Sequence, residues 1–231
     1  MSEQSSENKS LLIGIVGYAH HGKSTTADFF KTLGFTEYAF ADPLKSVVMA
    51  MFGFTKEQCY DIKLKEVVDP FWGISPRTAL IAVGEHNAEK LKDLMPDLDL
   101  GEFRRLWIRK FEREYSENKW NEKNIIVSDI RHADEANAIK KLGGYILRVH
   151  NPRIKMDEAF RQSASEQRVR DIRFDGILIN DSNKIDLYRD VTAFNHVVVS
   201  SPSLNSKYED YINKDKPIVV MQLSKNKDLS Q

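Results

Sequence analysis

The 231-residue chain carries one cysteine, Cys59, so it can form neither an internal disulfide nor a cysteine cluster for zinc. It has no charge imbalance either, since Lys and Arg total 34 and Asp and Glu total 34. A formal charge of zero argues against a general nucleic-acid binder with a dominant basic field, and any phosphate contacts must be local. No apolar run approaches the roughly 20 residues that cross a bilayer, so no membrane partner is expected. Met1 to Ser10 is polar and lacks the apolar core of an export signal, so it reads as a flexible tail in a cytoplasmic protein. What is present is globular: 41% hydrophobic and 29% charged residues, suited to one domain with a sizeable insertion.

Leu11-Leu-Ile-Gly-Ile-Val16 is a continuous apolar run too short for a typical helix, which predicts a strand buried on both faces. Asn124 to Asp129, Tyr145 to Val149 and Gly176 to Ile179 repeat that grammar. Helical periodicity fills the gaps at Ala133 to Leu142, stopped by Gly143-Gly144, and at Lys184 to Phe194. Strands alternating with helices imply an α/β fold with a parallel sheet. Residues 43–119 break the alternation, being rich in helix formers without an obvious buried strand, and read as a helical insertion. Beyond Phe194 a C-terminal extension, 195–231, is rich in Ser, Asn and Lys; Val197-Val-Val199 and Pro217 to Met221 are candidates for short edge strands.

Gly17-Tyr-Ala-His-His-Gly22-Lys23-Ser24-Thr25 fits G-x-x-x-x-G-K-[ST], placed between the first strand and a helical run ending at Leu33. Glycines let backbone N–H groups approach phosphate, the helix N-terminus adds positive potential, Lys23 supplies a mobile cation and Ser24 can ligate magnesium. The pattern points to a nucleoside triphosphate held by residues 17–25, with His20 and His21 contributing to the loop through their backbone rather than as metal ligands.

Phosphoryl transfer needs a carboxylate near magnesium, and Ile125-Ile-Val-Ser-Asp129 ends a buried strand with one. Ligands gather at the carboxyl ends of parallel strands, so Asp129 is the metal candidate, with helix capping as its alternative. Arg131 then lies at the same edge. Asp42, before Pro43, is either a cleft carboxylate or a cap-and-turn residue. Arginines that neutralise an acceptor phosphate and exclude water are expected on movable segments. Arg77, after Ser75-Pro76, and the stretch Asn151 to Arg173, with Arg161 and Arg168, qualify. Ser163-x-x-Glu166 is also a capping-box pattern. Phe71, Trp72 and Trp107 could stack a base or pack a core.

An ordered set of short motifs now resembles a known family, the phage-type deoxynucleoside monophosphate kinases within the P-loop kinases. The set is Gly17 to Thr25, Phe40-Ala-Asp-Pro-Leu-Lys45, Ser75 to Leu80 with Gly84, Ser128-Asp-Ile-Arg131 with Asp134-Glu135-Ala136, Gly143-Gly144 before Arg148-Val149, Ser165-Glu166, and Ile179-Asn-Asp181. The resemblance covers about residues 11–194. It implies a three-layer P-loop kinase fold, a parallel sheet flanked by helices, in which 43–119 binds the monophosphate and 151–173 is a lid. It also implies transfer of the ATP γ-phosphate to a deoxynucleoside 5′-monophosphate with Mg2+, within deoxynucleotide biosynthesis, in the host cytoplasm if the gene is a phage's.

By position, Lys23 and Ser24 would serve ATP and metal, and Arg77 and Arg131 the acceptor phosphate. Lys23, Arg131 and Asp42 would form the catalytic set, and Asp42, Lys45, Trp72, Asp129 and Glu166 would line the acceptor side. Arg161 and Arg168 would close over ATP. Ala164 stands where relatives often have a histidine, so no catalytic role is carried there. A kinase for another phosphorylated small molecule, phosphomevalonate-like, and an NTP-hydrolysing regulatory module are the two alternatives. Base choice and a homodimeric state stay open.

Overall fold

The computed structural model describes residues 10–86, 95, 97, 104–117, 123–155, 164–200 and 219–221. The chain divides into two compact units, one built from residues 1–39 with 118–231 and the other from 40–117.

The first unit is organised around a six-stranded sheet in the order β2-β3-β1-β4-β5-β6, every pairing parallel. Its strands are β1 Leu12–Val16, β2 Thr36–Tyr38, β3 Ile125–Ile130, β4 Tyr145–His150, β5 Gly176–Ile179 and β6 Val219–Met221. All five residues of β1 are buried, as expected of a central parallel strand covered on both faces. Side chains alternate across the sheet. Ile13 and Ile15 join Phe30 of α1 (Lys23–Thr32) and Leu187, Val191 and Phe194 of α8 (Lys184–Ser200) in one core. On the opposite face, Gly144 lies so close to Ile139 of α6 (Ala133–Lys141) and to Leu12 that an added Cβ would meet them at 2.7 to 2.9 Å. Helices therefore cover both faces, and the expected three-layer α/β arrangement is what the structure shows. The short helix α7, Ala164–Arg170, precedes β5.

Of the two edge strands read in the C-terminal extension, the structure has one and not the other. Val197-Val-Val199 is helical, because α8 continues without a break to Ser200, so a boundary at 194 would cut through a helix. Val219–Met221 does form an edge strand, pairing with Gly176 to Leu178.

The second unit is helical among the described residues: α2 Ala41–Phe52, α3 Lys56–Tyr60, α4 Pro76–Ile81 and α5 Arg104–Ser116, with a 3-10 turn at Leu64–Glu66 and a π-helical turn at Ala82–His86. Local chemistry sets these ends. Gly53, at φ 70, ends α2 in the left-handed region. Thr55 and Gln58 form a capping box for α3, and Ser75 caps α4 with Pro76 in its first turn. Val48, Phe54, Cys59, Ala79 and Val83 make this unit's buried cluster.

Candidate active site

In the sheet unit, β1 delivers the chain into the 17–22 loop and α1 begins at Lys23, so the loop runs directly into a helix N-terminus. Gly17 is required by proximity: a Cβ there would lie 2.5 Å from the Val149 carbonyl oxygen. Gly22 is required twice, by φ 103 and by Asn180 Nδ2, which a Cβ would approach to 2.4 Å. Lys23 Nζ donates to the Tyr18 carbonyl at 2.8 Å, the ammonium lying back across its own loop. Thr26 closes the first turn through N and Oγ1, both bonded to the Gly22 carbonyl. Ser24 is exposed and Thr25 partly so.

The two loop histidines have opposite fates. His20 is exposed and left-handed, at φ 64. His21 is 1% exposed, its ring 5.4 Å from Tyr18 and 5.3 Å from His150. Its Nδ1 accepts a bond from the Asn151 N–H at 3.0 Å, which assigns the proton to Nε2, and that buried atom has no hydrogen-bond partner. Burial, then the nearby His150, Lys23 and His20, push its pKa down to about 4. His21 is therefore neutral at any ordinary pH.

Asp129 comes to this edge through an irregularity in the sheet. Gly14 pairs with Val127 but Val16 pairs with Ile130, so β3 has one residue more than β1 across this step and Ser128-Asp129 face Ile15 in a bulge. Bulges re-aim side chains, and this one lies beside the strand end that feeds the loop. Next to it, Glu135 Oε2 accepts from the Arg131 and His132 N–H groups at 2.8 and 3.0 Å and tethers the start of α6 to the end of β3. Burial first, and the Asp129 charge against the opposing pull of those donors, raise the Glu135 pKa to about 8. The Arg131 side chain is exposed.

Among the described residues no cluster of three His, Cys, Asp or Glu could hold a metal by itself. Ser24 and Asp129 offer two hard oxygen donors, which suits magnesium, an ion that completes its octahedron with water and substrate phosphates. The donor set fits the ion in that sense.

The helical unit carries the other expected residues. Asp42 Oδ1 accepts from Lys45 Nζ at 3.0 Å, and that ammonium lies 3.8 Å from the centre of the Tyr60 ring. Arg77 pairs with Glu66 at 3.1 Å, both about half exposed. Trp72 does not offer its indole N–H, which is already bonded to the Phe52 carbonyl at 2.7 Å. Its ring meets Phe52 and Phe71 edge to face, and Phe71 is 83% exposed. Arg168 is exposed on α7, whereas Arg161, Ser163 and the Glu166 side chain lie outside the described residues.

Sequence reasoning named three residues without giving them a role: Arg148, whose guanidinium is turned onto the end of α7, and Asn151 and Asn180, which hold the loop. Arg148 left a signal as a lone charge within an apolar strand, and Asn180 as part of the Ile179-Asn-Asp181 motif.

No family model matches the chain. A protein of Acanthamoeba polyphaga mimivirus, provisionally named a deoxynucleotide monophosphate kinase, is 32% identical over 187 residues, covering 78% of this chain and 94% of that protein. Among solved structures, TT1252 of Thermus thermophilus overlays with a TM-score of 0.43 at 22% identity, covering 82% of this chain and 98% of that one. The dephospho-CoA kinase of Campylobacter jejuni overlays at 0.46 and 14% identity, covering 83% and 98%. The shikimate kinase of Aquifex aeolicus does so at 0.40 and 12%, covering 81% and 97%.

Proposed function

Because this chain belongs to the family of the mimivirus protein provisionally named a deoxynucleotide monophosphate kinase, we propose that it transfers the γ-phosphoryl group of ATP to a deoxynucleoside 5′-monophosphate, giving ADP and the diphosphate. The observation that carries this reading is the loop at residues 17–22, with Lys23 at the start of its helix and Asp129 bulged out of the neighbouring strand. Cation, helix terminus and carboxylate gather at one sheet edge, which is what a triphosphate with its metal requires.

ATP would bind with its phosphates in the loop. Lys23 would exchange the Tyr18 carbonyl for phosphate oxygens, giving up a single hydrogen bond for a charge-assisted one. Ser24 and Asp129 would hold Mg2+, whose chemistry is to neutralise charge on the phosphates. An acceptor phosphate oxygen attacks the γ-phosphorus in line while the bond to the β–γ bridging oxygen breaks and ADP leaves. An anionic acceptor needs no general base, so positioning and charge neutralisation suffice. Arg77 would hold the acceptor phosphate in the helical unit; its exposed pair with Glu66 is of the kind that contributes little and yields readily to a phosphate. The helical unit, with Asp42, Lys45 and the Phe71–Trp72 pair, would take the nucleoside. Arg168 belongs to the segment that would close.

A coupled assay of ADP formation across natural and modified deoxynucleoside monophosphates, with phosphomevalonate as a control, tests the reading. Turnover that depends on a deoxynucleotide and falls by about a hundredfold or more in Lys23→Ala is expected, with the melting temperature unchanged. ATP hydrolysis indifferent to every acceptor would overturn it.

A further inference from the structure

Three strand ends meet at His21, one at its imidazole and one at its carbonyl. The loop after β1 contributes the ring itself; the segment leaving β4 contributes the Asn151 N–H, which donates to Nδ1 at 3.0 Å. The end of β5 contributes Asn180, whose side chain donates to the His21 carbonyl at 3.0 Å while its own N–H donates to the His150 carbonyl at 2.7 Å. The circuit runs from loop to β4 to β5 and back. It is formed at a conformational cost, since the preceding residue, His20, sits at φ 64 in a region that side chains avoid. It is formed at a polar cost as well, because Nε2 is buried without a partner. An aliphatic side chain would fill the same space without the second cost, so the distinctive service of the imidazole is acceptance at Nδ1.

We propose that His21 is a positioning residue that holds the phosphate-binding loop in its receptive shape by fastening it to Asn151, the root of the 151–173 segment. The consequence for catalysis rests on the kinase reading above; the fastening does not. A loop already held in shape binds phosphate without first being ordered, so loosening it raises the apparent dissociation constant of the triphosphate and leaves the acceptor untouched. Because Asn151 opens the 151–173 segment, the same bond sets where that segment starts relative to the loop.

The test uses the full-length protein. The wild type is expected to show a slowly exchanging Asn151 amide and, by nitrogen NMR, an Nε2–H tautomer at His21. His21→Leu should speed exchange of that amide and raise KM for ATP by about tenfold or more, with KM for the acceptor within about twofold. His21→Asn places an acceptor oxygen near the Nδ1 position and should restore both to within about threefold, whereas His21→Gln, whose oxygen lies one bond further out, should not. A freely exchanging Asn151 amide, an Nδ1–H tautomer, a His21→Leu enzyme with wild-type KM for ATP, or equal rescue by Asn and Gln would each overturn the proposal. If the Leu and Gln variants fail to fold, the wild-type tautomer and amide exchange decide it together with His21→Asn. If no acceptor supports turnover, the kinase reading fails alone, and the Kd of MgATP replaces KM in the same comparison.

Discussion

Arg148 donates through a single atom, Nη2, to the carbonyl oxygens of Val169, Arg170 and Ile172 at 2.8, 3.2 and 3.0 Å. Those carbonyls belong to the last turn of α7 and the residues just beyond it, where a helix leaves acceptors without intrahelical donors. The guanidinium lies 4.5 Å from the centre of the Phe174 ring, and burial pulls its pKa below the usual value while leaving it charged. A strand of the central sheet thus sets the position of the helix end.

Replacing Arg148 by Met should therefore cost more than a typical surface change. It takes the donor from the Arg170 and Ile172 carbonyls, leaves Val169 only the Ile172 N–H at 3.4 Å, and removes the cation over Phe174, so a loss of about 2–4 kcal/mol is expected. Arg148→Lys should recover only part of it, since a compact ammonium on a shorter reach lacks the flat face that the guanidinium lays over Phe174. Urea unfolding checks this. The midpoint should fall in the order Arg, Lys, Met with the slope m unchanged, and a Met variant as stable as the wild type would show that the cap is dispensable.

The parts of this molecule legible in the sequence are those set by local pattern. The apolar run before Gly17 gave β1, and Gly143-Gly144 marked the end of α6, where Gly143 takes φ 80. The misreading of Val197-Val-Val199 has a physical cause: three β-branched residues favour a strand in isolation, but the buried spacing Leu187, Val191, Phe194 continues a helical stripe, and packing overrides propensity. The bulge that carries Asp129 could not be read, because register is a property of two strands and appears only when Val16 is seen opposite Ile130. The burial of His21 was hidden for a similar reason. Which way a loop side chain points depends on backbone angles such as the φ of 64 at His20, and no residue pattern announced that turn.

Gly22 and Gly53 provide a paired comparison. Both have positive φ, 103 and 70, but a Cβ at Gly53 would meet nothing within 4 Å, whereas at Gly22 it would strike Asn180. Gly53→Ala should cost about 1 kcal/mol from backbone strain alone and leave ATP binding intact. Gly22→Ala should cost more and, by displacing the side chain that holds the His21 carbonyl, weaken ATP binding by about a hundredfold. Calorimetric titration with MgATP separates the two. Equal affinities would mean that the close approach of Asn180 has no bearing on the loop.

Glu135 and His21 titrate in opposite senses, which shapes stability against pH. Glu135 goes from an ordinary carboxyl near 4.5 when unfolded to about 8 when folded. Between those values the folded protein binds the extra proton, so its contribution to stability is complete below pH 4.5 and is lost as pH rises through 8. His21 goes from 6.5 when unfolded to about 4 when folded. There the unfolded chain binds the extra proton, and the contribution is complete above pH 6.5 and lost as pH falls through 4. From 4.5 to 6.5 the two slopes oppose one another; from 6.5 to 8 only the Glu135 slope remains, at most about 1.4 kcal/mol per pH unit. Glu135→Gln keeps an oxygen for the Arg131 and His132 N–H groups but cannot ionise. Melting temperatures of the nucleotide-free protein in EDTA should therefore fall from pH 6.5 to 8 in the wild type and stay level in Glu135→Gln. A variant that keeps the wild-type decline would show that the slope arises elsewhere and that Glu135 is ionised in the folded protein.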